Sequence, residues 1–247
     1  MKETILRVKN LTKKIENAVI LKNISFELKK DEIISIIGPS GVGKTLLLRI
    51  LAGLDSHSSG NISFFQPKDS ERDLTTLVFE EPTLIPWLTI FDNIYIALEH
   101  LNIDEREKIS RVKFYLELTG LSGYEDEYPI ELTKGLQKKA SLARAMAVEP
   151  IILLLDEPFS NIDVLSAQAL KDELIKIIED KDYPTEGTIF STHNVEDAVY
   201  LADKVVVLDG KPGHIKETIK IDLKRPRNKK SKKFNKCIDN IYELLLR

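Results

Sequence analysis

The stretch Gly38-Pro39-Ser40-Gly41-Val42-Gly43-Lys44-Thr45 constrains the fold of this chain more than any other. It follows the β-branched run Ile33 to Ile37, which reads as a buried strand, and precedes Leu46 to Ala52, which reads as a helix ended by Gly53. Glycines let a backbone curl until successive N–H groups point inward at phosphate oxygens, and the positive end of a following helix adds to that field. Lys44 is expected to reach the β- and γ-phosphates, and the Thr45 hydroxyl to ligate Mg²⁺. A glycine-rich turn that merely resembles the pattern explains neither the Lys-Thr pair nor the strand and helix on either side. A nucleoside triphosphate is the expected ligand.

The length of 247 residues suits one domain with an inserted subdomain better than two independent domains. A net charge of −3 gives a nucleic-acid role no global electrostatic support. The one cysteine, Cys237, cannot form an internal disulfide, and no Cys/His cluster suggests zinc, so a reducing compartment is expected. Met1-Lys2-Glu3-Thr4 leads straight into a strand pattern rather than an apolar signal region, and no apolar run approaches the length of a membrane span. Any membrane role is expected to go through a partner.

Along the chain, Ile5 to Val8 and Ile24 to Leu28 alternate as strands, and Lys29 to Glu32 turns into the buried strand. Strands are also expected at Ile62 to Phe65, Leu74 to Phe79, Ile151 to Leu155, Thr188 to Phe190 and Val205 to Leu208. From Thr83 to Val148 the pattern is helical, with apolar residues at Ile90, Ile94, Ala97, Leu98 and Leu101, then Ile109, Val112 and Leu116, and it reads as an insertion.

A second chemical constellation is Leu153-Leu154-Leu155-Asp156-Glu157-Pro158. An apolar strand delivering a carboxylate at its C-terminal end, beside a phosphate loop, is how such folds hold Mg²⁺, and Asp156 takes that role. Glu157 is expected to point past the metal to the γ-phosphate, where a carboxylate can orient and polarise an attacking water. Alone, Asp-Glu at a strand end could equally be a solvated junction; the phosphate loop tips the balance. His193 follows the strand Thr188 to Phe190 and precedes a helix pattern at Asn194 to Ala198, which places it where parallel sheets gather ligands, within reach of a γ-phosphate oxygen. His57, His100 and His214 lack such a setting and read as structural or exposed.

The order of phosphate loop, helical insertion, Leu132-Thr133-Lys134-Gly135-Leu136-Gln137, Asp156-Glu157, Ser160-Asn161-Ile162-Asp163 and His193 resembles the nucleotide-binding subunit of an ATP-binding cassette (ABC) transporter. The likeness covers about residues 3–220, leaving 221–247 as a basic tail and helix. It implies an α/β fold: a P-loop NTPase core with an antiparallel β subdomain and an inserted α-helical subdomain at about residues 83–148. The run Phe79-Glu80-Glu81-Pro82-Thr83-Leu84-Ile85-Pro86-Trp87-Leu88-Thr89 and the piece Leu223-Lys224-Arg225-Pro226-Arg227 look like the nitrate, sulfonate and taurine importer branch, which includes transporters of thiamin-pyrimidine precursors.

The resemblance implies a head-to-tail dimer, of two copies or with a second ABC subunit, holding two ATP molecules with Mg²⁺ between subunits. The phosphate loop of one subunit then faces the signature segment of the other, here Leu132 to Leu136, and Asp163 lies at the dimer interface. Glu80 to Trp87 would contact a cytoplasmic helix of an integral membrane permease, which works with a solute-binding protein. The subunit itself would sit in the cytoplasm, on the inner face of the cell membrane.

The sequence departs from the family pattern at particular sites. Ile15 stands where an aromatic residue usually stacks on adenine, implying weak base recognition. Asp31 replaces a frequent glycine, implying a changed turn. Glu80 replaces the glutamine that usually joins Mg²⁺ and the attacking water; a carboxylate can also ligate Mg²⁺ but adds charge beside the phosphates. Thr133-Lys134 replaces Ser-Gly in the signature, ahead of Gly135. These substitutions bear on hydrolysis more than on ATP binding.

The basic run Lys224 to Lys233 reads as a solvated linker or as an anionic-lipid patch, with an apolar helix pattern at Ile238, Ile241, Leu244 and Leu245 beyond it. The lysines of the helix after Leu136 read as its solvent face. Function classes left open are an importer ATPase, an ABC subunit that closes on ATP yet hydrolyses it poorly, and a P-loop enzyme acting on a small molecule or nucleic acid. The last lacks an acceptor motif or basic groove.

Overall fold

A computed structural model describes residues 2–65, 72–180 and 183–246. In chain order the elements are β1 (Thr4–Ile15), β2 (Ala18–Lys29), β3 (Glu32–Ile37), α1 (Lys44–Leu51), β4 (Ser59–Phe64), β5 (Thr75–Val78), α2 (Ile90–Tyr95), α3 (Glu105–Leu118) and α4 (Lys134–Ala147), followed by β6 (Ile152–Leu155), α5 (Val164–Glu179), β7 (Gly187–Thr192), α6 (Val195–Leu201), β8 (Lys204–Asp209), β9 (His214–Lys220) and α7 (Lys232–Leu246). The described residues form two compact units, one of 2–65, 154–157 and 186–246, the other of 72–153, 158–180 and 183–185.

The first unit holds two sheets. An antiparallel sheet of order β2-β1-β4 is built from long strands whose register shifts repeatedly, so that their alternation is interrupted. These shifts are why the sequence pattern shows only the regular ends of β1 and β2, Ile5 to Val8 and Ile24 to Leu28. Asp31, in the turn between β2 and β3, has φ +50°, a conformation that favours glycine and that Asp tolerates better than most side chains.

In the second sheet of this unit the last residues of β6 are followed by β7, β3, β8 and β9. β3 pairs in parallel with β7 from Glu32↔Gly187 to Ile37↔Thr192, and with β8 on its other side. Ile33, Ile34, Ile36 and Ile37 are all buried, as a strand with neighbours on both sides and covered faces requires. β9 was not signalled by the sequence: it is an antiparallel strand of half-exposed residues with a register shift opposite Val207 and Leu208, which leaves no clean alternation. α7 turns Phe234 and Ile241 inward and packs against α6.

The basic run ahead of α7 differs from a solvated linker. Its lysines are exposed or half-buried, but Arg227 is buried and Arg225 is hydrogen-bonded to backbone, so the segment is not simply a solvated linker.

The second unit is mainly helical, but not continuously so from Thr83 to Val148: residues 119–133 form turns and a short 3-10 segment. Asn93, fully buried on α2, donates to the carbonyls of Ile85, Leu88 and Thr89 and accepts from Ile85 N–H, which fixes the loop between β5 and α2. α4 is capped by the Thr133 hydroxyl. The lysines after Leu136 are not a solvent face: Lys138 is buried with Nζ 3.2 Å from Ser160 Oγ, and Lys139 Nζ lies 2.7 Å from Glu173 Oε1. No helix among the described residues is long and apolar enough to cross a membrane.

Candidate active site

The phosphate loop spans the turn from β3 to α1. Gly43, the residue before α1, has φ +108°, and a Cβ there would lie 2.6 Å from Leu21 Cδ2; a side chain at Gly38 would strike the carbonyl of Leu208. Both positions therefore need glycine, one for conformation and space, the other for close approach. No side chain caps the N-terminus of α1 and its first turn has no acid, which leaves the early N–H groups and the positive helix end to an anionic ligand. Ser40, Gly41 and Thr45 are exposed on this loop, while Val42 is buried beneath it.

Lys44 is buried, its Nζ donating to the carbonyls of Gly38 (2.8 Å) and Pro39 (3.3 Å) and standing 4.0 Å from Glu157 Oε1. The lysine is thus held across its own loop by carbonyl oxygens, with one carboxylate near it. A phosphate brought to the loop offers oxygens of full charge in exchange for those neutral acceptors, a stronger charge-assisted bond.

β6 ends at Leu155, and the next residues diverge. Asp156 is buried and its Oδ1 accepts from Ser191 Oγ at 2.5 Å; the same hydroxyl oxygen accepts from the Glu157 N–H at 3.0 Å. Ser191 therefore fixes both acids. It lies on β7 between Phe190 and Thr192, fully buried, where a hydroxyl gives no periodic signal, and sequence reasoning assigned it no role. Glu157 adopts φ +45°, unusual for a residue with a side chain, and local backbone strain of this kind tends to concentrate at functional sites. Its Oε2 lies 3.0 Å from His193 Nδ1, just beyond the end of β7. Lys44, Asp156, Glu157 and His193 are thus brought together at the C-terminal ends of parallel strands. His193 remains largely open to solvent, 71% exposed at the side chain, against 12% for Glu157.

Thr45 and Asp156 each offer side-chain oxygen, the donor type that a hard cation such as Mg²⁺ takes. Asp156 is a buried carboxylate with its orientation fixed by a hydroxyl, and the described residues contain no cluster of three or more metal-ligating side chains. Mg²⁺ characteristically uses few protein ligands and completes its shell from substrate phosphates and water.

Most of the remaining candidates belong to the second unit. Glu80 is exposed; its Oε1 accepts from Ser160 Oγ (3.3 Å) and Asn161 Nδ2 (3.4 Å), and Asn161 also reaches Glu81 Oε1 (3.2 Å). Ser160, shared with Lys138, links the acid loop after β5 to α4. Lys134 and Gly135 open α4 behind the Thr133 cap, with Lys134 exposed. Asp163 caps α5 by accepting from Leu165 and Ser166 N–H, and the hydrogen bonds from Ser166 hold its carboxyl below the usual range. Ile15, at the end of β1 in the first unit, is 48% exposed.

A family model described as "ABC transporter" matches residues 21–160. The chain belongs to the ABC transporter family. It is an ATPase of that family, similar over 97% of its length, at 42% identity and over 91% of the relative, to an uncharacterised ABC transporter ATP-binding protein of Methanocaldococcus jannaschii. It is 36% identical over 92% of its length, and 88% of the relative, to the aliphatic sulfonates import ATP-binding protein SsuB of Bacillus thuringiensis. Among solved structures, a dimeric ATP-binding cassette in a post-hydrolysis state, bound to ADP and Pi, superposes with a TM-score of 0.74 at 27% identity, covering 88% of this chain and 99% of that one.

Proposed function

We propose that this ABC ATPase is the ATP-hydrolysing subunit of an importer, energising uptake of a small solute of the nitrate, sulfonate, taurine or thiamin-pyrimidine precursor kind through a membrane permease. The observation that carries hydrolysis is the joint placement of Lys44, Glu157 and His193 with the Ser191-fixed Asp156. Similarity to a sulfonate importer subunit supports the direction of transport and the solute class.

In this reading the loop from Gly38 to Thr45 cradles the phosphates and Lys44 leaves its carbonyls for the β- and γ-oxygens. Thr45 and Asp156 would hold a Mg²⁺, which when bound would supply positive charge to the phosphate oxygens, with Glu80 a further ligand by family resemblance. Glu157 orients the attacking water and accepts its proton, and His193 positions Glu157 and hydrogen-bonds the γ-phosphate. Thr133, Lys134 and Gly135 meet the ATP of a partner subunit in a dimer, and closure of that dimer passes to the permease. The second unit supports such docking: Trp87 is 76% exposed, and a cavity of about 240 Å³ is lined by Phe79, Thr83, Ala97 and Arg144 among others. The domain would span 3–220, with its helical subdomain at 83–148, on the cytoplasmic face of the membrane.

A second reading, a subunit that closes on ATP but turns over slowly, is favoured by one observation: α4 begins with an exposed cation at its positive end, where the signature glycine usually stands. Steady-state ATPase assays on the purified chain, alone and with its permease, separate the two. Turnover stimulated by the permease supports the importer ATPase, and ATP binding without turnover in either setting supports the second.

A further inference from the structure

The segment Leu223-Lys224-Arg225-Pro226-Arg227 takes no part in the chemistry above, yet it engages the interior of the first unit. Arg227 is 6% exposed. Its Nη1 donates to the carbonyls of Val199 (2.7 Å) and Ala202 (2.6 Å), and Arg225 Nη2 donates to the carbonyl of Leu201 (2.6 Å). These belong to the final turn of α6 and its C-cap residue, whose carbonyls have no intrahelical donor. Two guanidinium groups at a helix C-terminus satisfy those acceptors and complement the helix dipole.

The other end of α6 is the candidate site. Asn194 caps the helix, accepting from Asp197 N–H, and directly follows His193. A helix of 7 residues does not hold its place without outside contacts, so what grips its last turn also governs where its first residue stands. Asp203 ties the grip to the phosphate loop's own strand. Its Oδ1 lies 2.8 Å from Arg225 Nη2, its Oδ2 accepts from Ile33 N–H (2.9 Å), and its backbone N–H donates to the Ile33 carbonyl (2.8 Å) at the start of β3. Lys229 adds a contact along the flank of α6, with Nζ 3.1 Å from Glu196 Oε1 and 4.4 Å from the Tyr200 ring centre.

We propose that Arg225 and Arg227 are positioning residues for ATP hydrolysis: by clamping the last carbonyls of α6 to the base of β3, they set the location of His193 and so its contact with Glu157. The effect on turnover rests on the proposed roles of His193 and Glu157; the mechanical link to His193 does not.

The test uses the full chain carrying Arg227→Lys, which keeps a cation but loses the fork that spans two carbonyls, and in parallel Arg225→Lys, at a less buried site. Two quantities are read: steady-state ATPase parameters and the imidazole nitrogen resonances of the four histidines. The expected result is a fall in kcat of about three- to thirty-fold with KM for ATP nearly constant. The His193 resonances move while those of His57, His100 and His214 hold. In a His193→Ala background, the arginine substitutions lower residual turnover no further. A merely stabilising role predicts a lower unfolding temperature with His193 resonances unmoved in the folded protein, and that result overturns the proposal, as does lowered kcat with unmoved resonances. Moved resonances with unchanged kcat keep the link and remove His193 from the proposed reaction. Should Arg227→Lys fail to fold, Arg225→Lys decides by the same two readings.

Discussion

Glu157 and Glu80 are proposed to serve one ATP molecule, yet their surroundings in the chain differ sharply. Glu157 is nearly buried, fixed through its N–H by Ser191, through Oε2 by His193, and close to Lys44. Its neighbours come from the ends of β3, β6 and β7, elements with a shared hydrogen-bonded core. Glu80 is exposed and held by the polar side chains of one loop, Ser160 and Asn161, at longer distances. The first carboxylate is organised by the sheet before any ligand arrives. The second is organised only locally, and so are Lys134 and Asp163, which face solvent in the single chain. In the proposed reading, the water-activating groups are thus organised within one chain, whereas the groups proposed to depend on a partner or on nucleotide remain open.

That contrast can be broken or sharpened by substitution. The largest effect is expected for Lys44→Ala. Removing one partner of a buried charge-assisted contact costs about 3 kcal/mol, roughly a hundredfold in affinity, in equilibrium titration with Mg-ATP. Unchanged affinity would contradict the assignment of the loop. Glu80→Gln should act more weakly, because exposed charges contribute about 1 kcal/mol or less. Mg-ATP affinity is expected to rise a few-fold as one negative charge leaves the phosphates, and a large loss would instead make Glu80 an essential metal ligand.

Smaller still is Lys134→Gly. A lysine at the positive end of a helix costs about 0.3–1 kcal/mol, which a nearby phosphate could offset. Since Lys134 is exposed in the chain, ATP-driven dimerisation is expected to be equal in parent and variant at low and high salt. Weaker dimerisation of the variant, with a difference that shrinks as salt rises, would show a contact with the partner's phosphate. Smallest is base choice: an aliphatic Ile15 offers dispersion contact without stacking, so ATP and GTP should compete about equally. A clear preference for ATP would point to another stacking surface.

The same contrast governs what was legible in the sequence. Gly38 to Thr45, Asp156, Glu157 and His193 each follow a compact apolar strand, and strand ends in a parallel sheet converge, so their meeting could be read from order alone. Ser191 escaped because a hydroxyl inside a buried strand looks like a neutral filler; only the structure shows that it holds two acids. Lys138 and Arg227 were misread for the opposite reason. Charged side chains default to solvent, and burial becomes favourable only when particular acceptors, Ser160 or the carbonyls of α6, lie opposite. Strand β9 was hidden by half-exposed faces and a register shift.

The central claim, that Glu157 is the carboxylate acting on water, is tested most directly by Glu157→Gln, which preserves shape and removes the base. The variant is expected to bind Mg-ATP with parent affinity, to lose steady-state hydrolysis by at least about a hundredfold, and to accumulate as an ATP-bound dimer in sizing experiments. Turnover at the parent rate, with no accumulated dimer, would contradict the account and pass the role to Glu80.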